Sequence, residues 1–267
     1  MNEFEVALLA SRAGTKLLLN QIHSKPRLPQ QIEEKALSDY QTDLDLKVED
    51  LIINHIVKEF PNDTIISEER GALNGPSTKV WYIDPIDGTS NLIAGRPEIA
   101  ISIGLYEDHM PRIAVLSLPC RGIEIAVSAP GQGLLINGSI FRPPEGVEYL
   151  EDAIVGIPGD LRKQKDTFLL LRSVEKLARK VRGIRVTGAL AYDLAAIALG
   201  ELDARISLSA KAVDVAAGVI LVREVQGIVT DAFGASWSLN STSILAARSK
   251  TIHQQLLSLL REELKDV

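Results

Sequence analysis

The sequence has few of the residues on which thiolate-metal, disulfide-linked and membrane proteins depend. Its single cysteine, Cys120, excludes an internal disulfide and a multi-cysteine zinc site. Cys120 reads as an ordinary packed thiol. The four histidines, His23, His55, His109 and His253, are scattered without ligand spacing; His55 falls on the apolar face of a helical pattern and reads as a core or boundary residue. No run approaches the roughly 20 apolar residues that span a bilayer, and Glu3 and Glu5 stand where a secretory leader would be basic. The expectation is a soluble, cytoplasmic protein with no membrane partner. Positive charge is also in deficit. A net charge of −6 disfavours a nucleic-acid-coating role, because phosphate backbones reward a basic face. The clusters Arg162-Lys163-Lys165 and Arg179-Lys180-Arg182-Arg185 read as a solvated loop and a helix C-terminus.

What is present is a core. With 267 residues, 46% of them hydrophobic, the chain can form one large domain or two closely joined halves. Phe4, Leu8, Leu18 and Ile22 fall at helical spacing before Pro26 and Pro29 close the segment. Val48, Leu51, Ile52, Ile56 and Phe60 mark one face of a second helix. Short β-type runs follow at 64–66, 80–83, 99–105, 113–118 and 123–127, and 134–136 and 139–141 flank the hairpin signal Asn137-Gly138. Past Pro143-Pro144 strands alternate with helical patterns at 166–181, 191–199, 215–224 and 250–263. This predicts sheets layered between helices, with a boundary near 142–148 separating an α+β half, 1–142, from an α/β half, 143–267.

The richest segment is Trp81-Tyr82-Ile83-Asp84-Pro85-Ile86-Asp87-Gly88-Thr89-Ser90-Asn91, an apolar strand that runs into two carboxylates and a small hydroxyl-rich turn. Asp84 and Asp87 are hard oxygen donors suited to Mg²⁺. Gly88 lets the backbone approach a ligand, and the N–H groups of Gly88, Thr89 and Ser90 suit an anion if a short helix begins there. Alone, the string reads equally as a tight turn. Ser67-Glu68-Glu69 adds two adjacent acids whose repulsion a divalent cation would relieve, although such a pair on a solvent-facing loop is commonplace. Asp214 opens an apolar helix, where aspartate is also a preferred N-cap. Asp45 shares that ambiguity, since Thr42-Asp43-Leu44-Asp45 resembles a capping box.

In order and together, these segments resemble the inositol monophosphatase superfamily of metal-dependent, lithium-sensitive phosphatases. Asp39-Tyr40-Gln41-Thr42-Asp43-Leu44-Asp45 is similar to its D-x-x-T-x-x-D, Ser67-Glu68-Glu69 to its double-glutamate loop, and Asp84-Pro85-Ile86-Asp87-Gly88-Thr89-Ser90-Asn91 to its D-P-[ILV]-D-G-[ST]-[ST]-N core. Asp214-Val215-Ala216-Ala217-Gly218 and Glu224-Val225-Gln226-Gly227 resemble its C-terminal segments. The resemblance implies an α/β (α+β) fold, a five-layered αβαβα sandwich shared with fructose-1,6-bisphosphatase, and a homodimer. It implies two or three Mg²⁺ ions held by Glu68, Asp84, the carbonyl of Ile86 and Asp87, with Asp214 completing the second site and Glu69 behind them. Asp45 would pair with Thr89, and Thr89 with Glu68 would orient the attacking water. Gly88, Thr89 and Ser90 would seat the phosphate of a small ester.

The second half departs from the inositol-selective pattern. In the strand-to-helix turn Gly188-Ala189-Leu190 the usual small polar residue is Ala189, and Ser207 stands where a glutamate often meets ring hydroxyls. Val213 replaces a tryptophan, and Lys211 lies three residues before Asp214. These changes resemble dual-activity members that also accept fructose 1,6-bisphosphate, with Lys211 and Arg185 as candidates for the second phosphate. A 3′-phosphoadenosine 5′-phosphate phosphatase ranks lower, because aromatics make up 4% of the chain and no adenine platform is evident. A catalytically silent binding protein of the same family is the reading from another class; the intact acids argue against it.

Overall fold

The computed structural model describes residues 1–24, 32–36, 39–161 and 164–265. Pro26 and Pro29, expected to close the first helix, lie outside the described residues, as do Arg162 and Lys163 of the first basic cluster.

Helices α1 (Glu3–Ser24) and α2 (Asp43–Glu59) form where the apolar spacing predicts them. The start of α2 is set by a capping box: the Thr42 hydroxyl accepts from the N–H groups of Leu44 and Asp45 at 3.2 and 3.4 Å, and Asp45 takes the Thr42 N–H at 2.8 Å. Between the helices, β1 (Ile32–Ala36) and β2 (Asp39–Thr42) pair as an antiparallel hairpin that the sequence pattern did not announce.

The first main sheet contains β3 (Thr64–Ser67), β4 (Gly71–Leu73), β5 (Lys79–Asp87), β6 (Ala100–Glu107), β7 (Met110–Leu118), β8 (Ile123–Val127), β9 (Leu134–Ile136) and β10 (Ser139–Phe141). Its order is β10-β9-β8-β7-β6-β5-β3-β4. All its pairs are antiparallel except β3 with β5. Asn137 and Gly138, both at positive φ, turn β9 into β10. The short helix α3 (Thr89–Ala94) follows β5 directly.

The second sheet contains β11 (Ile154–Gly156), β12 (Gly183–Arg185), β13 (Ala204–Ser207), β14 (Ile228–Thr230) and β15 (Ile244–Ala247), ordered β12-β11-β13-β15-β14. Helices α4 (Thr167–Ala178), α5 (Leu190–Leu199), α6 (Ala212–Glu224) and α7 (Lys250–Lys265) complete the fold.

The layers follow from four apolar cores. One lies between α1, α2 and the first sheet, the next between that sheet and α5 with α6. A third joins α5 and α6 to the second sheet, and the last lies between that sheet and the pair α4, α7. Four such interfaces make five layers, αβαβα, as expected. Helix α6 is apolar all round because both its faces are covered; Val213 and residues 215–222 are buried. It begins at Ala212, three residues earlier than the apolar pattern suggests, and that offset decides the placement of Asp214.

Candidate metal and phosphate site

The parallel pairing of β3 and β5 brings two sets of acids to one edge of the first sheet. Ser67 is in register with Ile83, and the N–H of Glu68 donates to the Ile83 carbonyl at 3.1 Å, so Glu68 leaves β3 beside Asp84. Asp84 and Asp87 are three residues apart, which in a regular strand would put them on opposite faces. The pairing with β6 resolves this. Asp84 opposes Ser102 and Asp87 opposes Ala100, so three steps on β5 match two on β6 and the bulge at Pro85-Ile86 returns both acids to one face. Pro85 fits there, having no N–H to lose from the ladder.

The second half supplies the other wall. Asp87 Oδ1 accepts from the N–H of Leu190 and Oδ2 from that of Tyr192, both at 2.9 Å, so the first turn of α5 clamps both oxygens of this carboxylate. Asp214 is the third residue of α6, not its N-cap; the cap is Lys211, whose N–H donates to Asp214 Oδ2 at 3.0 Å. The Lys211 ammonium stands 3.9 Å from Glu68 Oε1.

This cluster is electrostatically costly. Burial pushes the Asp84 carboxyl well above its usual range, and the charges of Glu68, Asp87 and Asp214 push it further the same way. Burial also raises Asp87, with Asp214 and Asp193 adding to the rise, while the N–H groups of Tyr192 and Leu190 oppose it. Among the described residues no three Asp, Glu, His or Cys side chains converge closely enough to grip one ion as they lie. The fit to a divalent cation therefore rests on the donors: hard carboxylate oxygens, two of them buried and mutually repelling.

The phosphate-loop candidates follow at once. Gly88 adopts φ +90° as the cap of α3, and a Cβ there would sit 2.8 Å from the Glu98 carbonyl and 3.1 Å from Ala189 Cβ. Ala189, buried, packs on Gly88, and the exposed Gly188 sits against Asn91. The Thr89 hydroxyl lies 2.9 Å from Asp45 Oδ1 and 3.1 Å from the Ile86 carbonyl. Asp45 thus caps α2 with one oxygen and meets Thr89 with the other, so the two sequence readings hold together. Burial lifts its carboxyl to about 6 against the opposing hydrogen bonds of Thr42 and Thr89.

The structure places Glu68, Asp87 and Asp214 within electrostatic reach of Asp84, pairs Asp45 with Thr89 within reach of Glu68, and sets Lys211 at the rim. Ser90 is exposed at the start of α3. Arg185 is exposed, and its guanidinium donates to the carbonyl of Ile184 at 3.1 Å, beside Gly183. Ser207 is buried, and its hydroxyl donates to the Ser209 carbonyl at 2.6 Å. Sequence reasoning missed Glu49, wholly buried on α2, whose Oε1 accepts the Glu69 N–H at 2.9 Å. It also missed Asn91, whose amide donates to the carbonyls of Glu98 and Thr187 at 2.7 and 2.8 Å and so ties the two halves together. A charged residue on an otherwise apolar helix face was the available signal for Glu49; for Asn91 it was the motif itself.

Comparison with known proteins identifies the family and the fold. Residues 2–265 match the model of the inositol monophosphatase family. The Nus factor SuhB of Escherichia coli K12 is 33% identical over 264 residues, spanning 98% of this chain and 96% of that protein. The crystal structure of the extragenic suppressor protein SuhB from Bartonella henselae superimposes with a TM-score of 0.88 at 27% identity, covering 97% of this chain and 98% of that one. The Thermotoga maritima IMPase superimposes with a TM-score of 0.87 at 25% identity, covering 100% and 99%. With its αβαβα layers and a family match that runs over residues 2–265, this chain belongs to the inositol monophosphatase family.

Proposed function

We propose that this protein is a Mg²⁺-dependent phosphomonoesterase acting on a small phosphorylated polyol or sugar. The observation that carries the reading is the bulge in β5, which turns Asp84 and Asp87 to one face beside Glu68 and Asp214. Glu68, Asp84, the Ile86 carbonyl and Asp87 would hold the metal, with Asp214 closing the site from α6. When bound, Mg²⁺ supplies positive charge to phosphate oxygens and makes water more acidic. Asp45 and Thr89 then handle the proton. The Thr89 hydroxyl gives its single hydrogen toward Asp45 Oδ1 and keeps lone pairs for the attacking water, so a proton taken at Thr89 Oγ passes to Asp45. Gly88, Thr89 and Ser90 present the start of α3 to the phosphate, and no histidine or cysteine nucleophile is required.

Substrate choice lies with the second half. The Ser207 hydroxyl is engaged by the backbone, which supports a reading with reduced selectivity for an inositol ring. Lys211 at the rim supports a second anionic group on the ester, as in fructose 1,6-bisphosphate. The Nus factor name carried by the Escherichia coli relative supports a second reading, in which the chain also serves as a binding partner. The deciding experiment is phosphate release from inositol 1-phosphate, fructose 1,6-bisphosphate and 3′-phosphoadenosine 5′-phosphate, with Mg²⁺ and with EDTA. Mg²⁺-dependent release from the first or second supports the proposal. Release from the nucleotide alone replaces the substrate class, and no release from any of them favours the binding reading.

A further inference from the structure

Behind the acidic cluster lies a buried ion pair that the catalytic reading leaves unused. Arg205 on β13 and Asp193 on α5 are 3% and 1% exposed, and Arg205 Nε stands 2.6 Å from Asp193 Oδ2. The contact is close but poorly aligned for a hydrogen bond, so charge holds it. Arg205 also donates to the carbonyl of Ile206. The strand beside it makes room: a Cβ on Gly156 of β11 would lie 2.7 Å from Arg205 Cδ.

From Asp193 the connections run outward to the site. Asp193 Oδ1 accepts from the Thr187 hydroxyl at 2.7 Å, and the Thr187 carbonyl accepts from Asn91 at 2.8 Å. Asn91 belongs to α3, the short helix that follows Asp87, and Asp193 to the helical turn whose N–H groups hold Asp87. The first turn of α5 is thereby fixed on one side to the second sheet, through Arg205, and on the other to the first half, through Thr187 and Asn91.

Buried ion pairs contribute little net stability compared with well-packed apolar residues, because desolvation offsets attraction. Geometry is what this one supplies. We propose that Arg205, Asp193 and Thr187 are positioning residues that set the first turn of α5 so that the Leu190 and Tyr192 N–H groups fix the carboxylate of Asp87 for the metal. The inference rests on the Mg²⁺ site proposed above and touches neither substrate nor reacting atoms. Outer groups that orient a metal ligand typically govern about 10- to 100-fold of metal affinity.

The test measures Mg²⁺ binding to the full chain by calorimetry without substrate, beside thermal unfolding in EDTA. The paired variant Asp193→Leu with Arg205→Met replaces the ions by apolar groups of similar size. It is expected to unfold near the wild-type temperature and to bind Mg²⁺ about 10- to 100-fold more weakly. Wild-type affinity in that folded variant would overturn the inference. If the pair does not fold, Thr187→Val decides: weaker Mg²⁺ binding, restored by Thr187→Ser, supports a positioning role, and unchanged binding overturns it. A wild-type chain that binds no Mg²⁺ would overturn the site reading and this inference with it.

Discussion

Asp87 and Leu190 are 103 residues apart in the chain and joined by a hydrogen bond of 2.9 Å from the Leu190 N–H to Asp87 Oδ1. With the matching bond from Tyr192 to Oδ2, it leaves Asp87 both an acceptor at the end of β5 and the point where the second half grips the first.

That double acceptance makes Asp87→Asn a sharp test. The amide keeps the volume but removes the charge, and its NH₂ group must face one of the two backbone donors. Phosphate release is expected to fall to the level of the EDTA control while circular dichroism still shows a folded chain. Full activity in saturating Mg²⁺ would remove Asp87 from the metal site.

A second expectation concerns the turn that follows. At Gly88, φ +90° and a Cβ position 2.8 Å from the Glu98 carbonyl leave no relaxed place for a methyl group. Gly88→Ala should lose about 1–3 kcal/mol of stability, measurable by urea unfolding. Activity should fall as well, because relief of the clash must move the Glu98 backbone or Gly88 itself at the start of α3. An unchanged unfolding midpoint would mean that the loop relaxes without cost.

Much of this was legible in the sequence for a physical reason: the acids, the glycine and the capping threonine lie within short segments that are ambiguous singly and specific in order and together. Asp45 showed both of its roles, one through the box spacing and one through the family pattern. Asp214 was found, but its position in α6 was not, because the apolar pattern begins after the helix does. The β5 bulge was hidden, since three-residue spacing between acids says nothing about which face each one takes until β6 is laid beside them. Arg205 and Asp193 were invisible for the opposite reason. Neither carries a local signal that pairs it with the other, and only the packing of α5 on β13 brings them to 2.6 Å. Arg185 donates to the Ile184 carbonyl of its own strand, a local bond that its place in the sequence does not announce.

His253, on the outer helix α7, offers a separate pH test. It is 4% exposed on α7, its Nε2 lies 2.9 Å from the Thr230 hydroxyl, and burial holds its imidazole below 6.5. Below pH 6.5 the unfolded chain takes up a proton that the folded one refuses, so stability falls as pH drops toward the folded value. The stability difference between wild type and His253→Gln should therefore shift against the wild type between pH 7.5 and pH 5, with a slope of at most about 1.4 kcal/mol per pH unit. Parallel curves for the two proteins would show that the ring titrates freely when folded.

Lys211 separates the substrate readings. Its ammonium lies 3.9 Å from Glu68, so it stands at the mouth of the acidic cluster rather than within it, and its side chain is 63% exposed. A cation there adds little to metal binding, and repulsion from the metal would favour its turning outward. An ester with a single phosphate, spent on the metal and on the Gly88 loop, has nothing anionic left for it; an ester with two phosphates has. Lys211→Ala is expected to raise KM for fructose 1,6-bisphosphate several-fold while leaving inositol 1-phosphate turnover close to wild type. Steady-state kinetics on both esters at one Mg²⁺ concentration provides the comparison. Equal losses on the two would assign Lys211 to the Glu68 carboxylate instead, as a residue that steadies the acidic cluster and has no part in choosing the substrate.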